Sequence, residues 1–274
     1  MRRVWASLGG VAAAVAMIAA AGSGSTAAVA AQSGGTVEGV VKLTGTPPPN
    51  LPIRMGADPN CLKINGGKRI IQDTVTKAFD GGLADVFVHV KGQISGGSGG
   101  NTQPPVINQQ GCLYHPRVLG ARVGQVIQVK NSDPTLHNIK SHSTKGNDLN
   151  VGQPQAGLVF NFTPKTEEIM LHFQCEVHSW MNGFIGVLTH PYYAVTDNTG
   201  AFRITGVPVG TQTIQVWHEI YGPLTQTVDV KAGAVTKVNF AYNGTEKPGP
   251  ADRLAMQEVT IPAGASALQI VARQ

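Results

Sequence analysis

The sequence predicts an all-β protein, a Greek-key β-sandwich followed by a smaller β-sandwich, and three observations predict it. Apolar and polar residues alternate along short runs, the period of a half-buried strand. Glycine is abundant, at 34 residues, while only 14% of residues are charged; this composition favours turn-rich β structure over helices. Between Thr36 and Pro191 no segment carries a convincing helical period.

The chain opens with what reads as an export leader. Met1-Arg2-Arg3 is a short positive start, Val4 to Ala21 is almost entirely apolar, and Ala28-Val29-Ala30 offers the small-x-small pattern of a cleavage site. Small residues, Ser and Gly follow the apolar run at once, so residues 1–31 read as a secretory signal peptide and not as an anchor. The arginine pair is compatible with twin-arginine export. No later segment is long and apolar enough to span a bilayer. The mature chain is therefore expected to lack a transmembrane helix and to be periplasmic or secreted.

The strands follow in order. Val37, Val41 and Leu43 share one face of Thr36 to Leu43, with Glu38 and Lys42 on the other. Val86, Val88 and Val90 repeat the pattern, as do Ile127 with Val129, and Ile169, Leu171 and Phe173. Phe184 to Leu188 is a short apolar run. Turn signals separate them, among them Thr46-Pro47-Pro48-Pro49 and Asn131-Ser132-Asp133-Pro134;. A second unit starts near Pro191, where Asp197-Asn198-Thr199-Gly200 makes a hairpin turn between two strands. Expected boundaries are 36–190 for the large sandwich, 191–242 for the small sandwich, and 243–274 for a linker and terminal strand.

The formal net charge is +5, of which Arg2 and Arg3 carry two, and no Lys/Arg cluster remains beyond them. Nucleic acid is thereby excluded as a partner. Three cysteines in an exported chain read as one disulfide and one thiol left over.

Chemistry concentrates in Cys175-Glu176-Val177-His178-Ser179-Trp180-Met181, a Cys-x2-His-x2-Met run between two strands. Period two puts Cys175 on the face of Ile169, Leu171 and Phe173, aiming its sulfur into one end of the sandwich. The short loop brings His178 and Met181 to the same place. His137, behind the 131–134 turn, supplies a fourth group from a neighbouring loop. One thiolate, two imidazoles and a thioether form a soft, mixed set suited to one copper ion cycling between Cu(I) and Cu(II). Structural zinc does not take a thioether, and calcium and magnesium want oxygen. The site requires Cys175 to be free, with Cys61 and Cys112 supplying a disulfide between them; any other pairing abolishes it.

His142 is expected to face solvent and His172 to lie on the face opposite Cys175. His89, His115, His190 and His218 read as structural or surface residues. A Cys175–His178 nucleophile pair would explain neither Met181 nor His137, and no oxyanion-hole signal accompanies it.

At these residues the chain resembles the cupredoxins, the group of plastocyanin, azurin and amicyanin, and its ligand run is similar to amicyanin's short loop. His137-Asn138 is similar to the His-Asn pair of that family's upstream ligand, which implies that Asn138 ties the two ligand loops together by hydrogen bonds. Gly111-Cys112-Leu113-Tyr114, the 131–138 and 175–181 stretches, His190-Pro191-Tyr192 and Val216-Trp217-His218-Glu219 occur in this order. Together they resemble bacterial exported plastocyanin-like proteins, often called methylamine-utilisation-like. In that group a carboxypeptidase-regulatory-like, prealbumin-like sandwich follows the copper domain.

The resemblance implies a type 1 (blue) copper protein that transfers single electrons and is not an enzyme. Its redox partner is unnamed by the sequence, with a c-type cytochrome or a quinoprotein as the classes to consider. An exposed His178 is expected to be the electron exit and Trp180 a partner-docking residue. The extra segment 47–82 is expected to pack over the sandwich, clipped by Cys61–Cys112. Two rival readings are a copper carrier or sensor without redox turnover, and a carbohydrate-binding or adhesive module.

Overall fold

The computed structural model describes residues 34–94 and 103–249. The leader at 1–31 lies outside the described residues, as do residues 250–274 of the expected linker and terminal strand.

The chain runs through β1 (Gly35–Leu43), one short helix α1 (Pro59–Ile64) and β2 (Phe87–Lys91). Nine strands follow: β3 (Val106–Gln110), β4 (Leu113–His115), β5 (Val118–Arg122), β6 (Ile127–Asn131), β7 (His137–His142), β8 (Asn150–Gln153), β9 (Val159–Phe162), β10 (Glu168–Gln174) and β11 (Asn182–Leu188). The last six are β12 (Tyr193–Val195), β13 (Ala201–Val207), β14 (Gly210–His218), β15 (Gly222–Val230), β16 (Val235–Lys237) and β17 (Phe240–Tyr242). Among the described residues no helix is long and apolar enough to cross a membrane.

Four sheets make two sandwiches. One sandwich faces the sheet β5-β11-β10-β7-β8 against β4-β3-β6-β9. Its core holds Ile107, Ile127 and Val129 from one sheet and Ile139, Leu171, Phe173 and Ile185 from the other, all buried. The second faces β13-β1-β16, with β17 also on β1, against β12-β2-β14-β15. Val37, Val41, Ile204 and Phe240 meet Val88, Val90, Ile214 and Val216 there.

This arrangement corrects the expected boundary at 190/191. β1 and β2 were assigned to the large sandwich of 36–190, yet β1 pairs with β13, β16 and β17, and β2 pairs with β12 and β14. The sandwich of the ligand strands is thus an insertion between β2 and β12 of the other. Alternation within β1 marks which face is buried, but the partner strand lies over 150 residues away and leaves no local trace.

The two sandwiches share a third apolar cluster, where Phe87 and Trp217 meet Val118, Met170, Phe184 and Leu188. Glycine makes that approach possible: a Cβ on Gly186 of β11 would fall 2.1 Å from the Phe87 ring, and one on Gly120 of β5 would fall 2.2 Å from Tyr193. Arg117 adds a buried ionic tie, donating to both carboxylate oxygens of Glu219 (2.5 and 2.8 Å). Such a pair costs desolvation and is tolerated because the fork to Glu219 is bidentate and Arg117 Nη1 also reaches Asp73 Oδ1 (3.3 Å);.

β10 departs from simple alternation. Met170 has φ +58°, and the register with β11 shifts between Glu168 and Leu171. The bulge sends Ile169 to the cluster between the sandwiches, while Leu171, Phe173 and Cys175 keep to the core;. Of the expected face, Ile169 is the member the structure removes.

Candidate metal centre

The end of the inserted sandwich gathers side chains from three places. Cys175 follows β10, and the loop to β11 closes on itself: the Cys175 N–H donates to the Met181 carbonyl (3.0 Å) and the Met181 N–H to the His178 carbonyl (2.8 Å). His137 is the first residue of β7, not a residue of the preceding loop. The Asn131 side chain shapes that loop, donating to the carbonyls of Thr135 and Gln153 and accepting from the Asp133 N–H. The third contributor is the segment before β2, which carries Asp58 and Cys61.

His137, Cys175, His178 and Met181 are all buried, at 1% exposure or less. His137 Nδ1 and His178 Nδ1 face each other at 3.1 Å, and Cys175 Sγ lies 3.8 Å from His178 Nδ1. One donor atom from each of these three residues falls within 4.8 Å of the others. Donors sharing one first-row ion, at ~2.0 Å to nitrogen and ~2.3 Å to sulfur, must themselves stand roughly 3–4 Å apart. The group fits a metal. Met181 is packed in the same apolar cluster as Cys175.

The far sides of both imidazoles are occupied. His137 Nε2 donates to Asp133 Oδ2 (2.9 Å), and His178 Nε2 donates to Asp58 Oδ2 (2.8 Å). A carboxylate on Nε2 keeps a proton there and leaves Nδ1 as the nitrogen able to take a metal. Asp133 is itself held by the N–H groups of Gly111 and Cys112 (2.9 and 2.8 Å). Both residues have positive φ, +66° and +56°, which aims successive N–H groups at one anion;.

Charge is arranged accordingly. Burial opposes the Cys175 thiolate, but hydrogen bonds from His178 and the Asn138 N–H outweigh it and lower the thiol's pKa. Burial likewise opposes the His178 imidazolium, and its bonds to Cys175 and Asp58 raise its pKa on balance. The hydrogen bond from His178 lowers Asp58, and for Asp133 the bonds from His137, Cys112 and Gly111 overcome burial to lower it too. The two shifts run in the same sense: the His178–Cys175 hydrogen bond favours the thiolate of one and the imidazolium of the other.

Asn138 links the segment of His137 to that of Cys175: its N–H reaches Cys175 Sγ (3.4 Å) and its Oδ1 accepts from the Glu176 N–H (3.2 Å). Cys61 and Cys112 form a disulfide and Cys175 is free. His172 turns away from the cluster, stacked on His142 and Phe184.

Three expectations fail. His178 is not an exposed edge, because Asp58 and Cys61 Sγ (3.4 Å) cover its outer nitrogen. Trp180 does not stand free for a partner: its Nε1 donates to the Cys112 carbonyl (3.0 Å) and its ring leans on His178. His142 is half-buried against His172, not solvent-facing. Sequence reading missed Asp58 and Asp133. Asp133 stood four residues before His137 in a turn motif, and Asp58 before Pro59 had the form of a helix start; neither position names its imidazole.

Residues 186–243 match the family model of the carboxypeptidase regulatory-like domain. No curated protein matches the chain. Among solved structures, a purple cupredoxin from Nitrosopumilus maritimus is 23% identical, with 30% of this chain and 98% of that chain covered and a TM-score of 0.27. A Cu(I) amicyanin variant is 13% identical, covering 36% and 97%, with a TM-score of 0.28. A copper-containing nitrite reductase from Thermus scotoductus SA-01 is 19% identical, covering 35% and 25%, also at 0.28. The chain is an all-β protein that carries a carboxypeptidase regulatory-like region at residues 186–243.

Proposed function

We propose that this protein binds one copper ion through His137 Nδ1, His178 Nδ1 and Cys175 Sγ, with Met181 as a weaker fourth ligand, and that it transfers single electrons. The observation that carries the reading is the convergence of two imidazole Nδ1 atoms and one free thiol, each imidazole braced from behind by a carboxylate. Copper bound by such a set alternates between Cu(I) and Cu(II). The chain's own work is to keep the donors in one arrangement for both states. The Asn138 bonds hold the two ligand segments together, and the packed core excludes water from the thiolate. Export to an oxidising compartment, periplasmic or extracellular, belongs to the same proposal and is supported by the Cys61–Cys112 disulfide;. A cytochrome or quinoprotein partner would approach where Leu136 and Val177 stand exposed, each next to a proposed ligand.

Adding Cu(II) to the mature protein tests the reading. An intense visible thiolate-to-copper band is expected at one ion per chain, bleached by a one-electron reductant and restored on reoxidation. No band, or a band retained in Cys175→Ala, contradicts it. A band that cannot be cycled favours the carrier reading.

A further inference from the structure

The segment between β1 and β2 has no counterpart in the ligand set, yet it reaches the centre of it. Asp58 uses its two oxygens differently. Oδ1 accepts from the Asn60 N–H at the start of α1 (2.7 Å), and Oδ2 accepts from His178 Nε2 (2.8 Å). Three residues on, Cys61 is bonded to Cys112, whose N–H is one of the two that fix Asp133 on His137. Asn65 adds a second tie, donating to the Gly111 carbonyl (3.0 Å). The disulfide therefore joins the chain segment bearing one imidazole's carboxylate to the backbone that anchors the other's. Ile53, Met55 and Cys61 are buried in the core of the inserted sandwich, so the segment is packed in place and not draped over it.

We propose that this segment is a working part of the metal centre: Asp58 is a positioning residue that fixes the tautomer and orientation of His178, and the Cys61–Cys112 disulfide holds Asp58 and Asp133 in register. The inference rests on the copper reading above. A negative carboxylate on Nε2–H makes the imidazole a stronger donor and favours the more highly charged Cu(II) over Cu(I). A purely structural role would weaken both oxidation states alike.

The test uses the mature protein and competition with chelators for Cu(II) and for Cu(I), with the thermal midpoint of the metal-free protein as control. Asp58→Ser is the informative change, because serine still caps α1 but is too short to reach His178. Its Cu(II) affinity is expected to fall 10–100-fold, its Cu(I) affinity to fall less, and its metal-free midpoint to stay near that of the wild type. Asp58→Asn should lie between. In Cys61→Ser/Cys112→Ser, Cu(II) affinity should fall comparably, and adding Asp58→Ser should cost little more. Equal losses for both oxidation states, or unchanged Cu(II) affinity in Asp58→Ser, overturn the role of Asp58. An undiminished cost of Asp58→Ser without the disulfide overturns the role of the clip. Should the cysteine variant fail to fold, Asp58→Ser alone still decides the first claim. A wild-type protein that binds no copper defeats the earlier reading and is told apart from these outcomes by that control.

Discussion

Each end of β7 carries one member of a histidine pair, and the ring centres are almost equally far apart: 5.0 Å for His137 and His178, 4.9 Å for His142 and His172. The first pair meets edge to face at 70°, the second is stacked at 18°. In the first, both Nδ1 atoms point at one spot beside a thiol, with Asp133 and Asp58 behind. In the second, His172 Nε2 bonds the Asn182 amide oxygen, and the rings offer each other their faces. Proximity of imidazoles is thus not what makes a metal site. Direction of the lone pairs is, and direction is set by what holds the opposite nitrogen.

The largest effect that can break this contrast is at Cys175. Cys175→Ala should abolish the visible band of the copper-loaded protein, since no other thiol is free. Next come the histidines. His178→Ala should lower Cu(II) affinity by more than the 10–100-fold that the loss of an outer partner costs, while His142→Ala should leave it within about twofold on the same scale. Comparable losses in both variants, measured by chelator competition, would erase the distinction.

His218 sharpens the comparison from a third side. It is buried between Tyr221 and Tyr242, and burial, with Arg117 nearby, pushes its pKa down to about 3. The unfolded chain takes up that proton near pH ~6.5 while the folded one does not. Stability is therefore lost as pH falls from about 6.5 toward 3, at up to roughly 1.4 kcal/mol per unit. His218→Phe should flatten that slope in denaturant titrations, and an unchanged slope counts against a neutral buried imidazole.

Much of this was legible in the sequence, and what was not has physical causes. The Cys-x2-His-x2-Met spacing singled out Cys175, His178 and Met181 and the upstream turn singled out His137, and donor atoms of His137, Cys175 and His178 stand within 4.8 Å of one another. A strand's period reports its buried face, so Val37, Val41 and Leu43 were read correctly as core. It does not report the partner, and β1 was assigned to the wrong sandwich. The bulge at Met170 is invisible because an ordinary apolar residue occupies it. Asp58 was out of reach for another reason. It is 120 residues from His178, and an aspartate before proline advertises a helix cap and nothing more;.

The smallest predicted effect concerns Met181, the proposed fourth ligand. Met181→Leu should keep the thiolate band and shift the reduction potential, because the thioether is weak and leucine fills nearly the same volume. Loss of the band would move Met181 from a tuning residue to an essential one.

The most direct test is long-range nitrogen NMR of the histidine rings in the Cu(I)-loaded, isotope-labelled protein, which reports the metallated nitrogen of each imidazole. His137 and His178 should be metallated at Nδ1 and keep their Nε2 protons, with the rings of His142 and His172 unchanged from the metal-free protein. Metal at Nε2 of either, or at the stacked pair, contradicts the account.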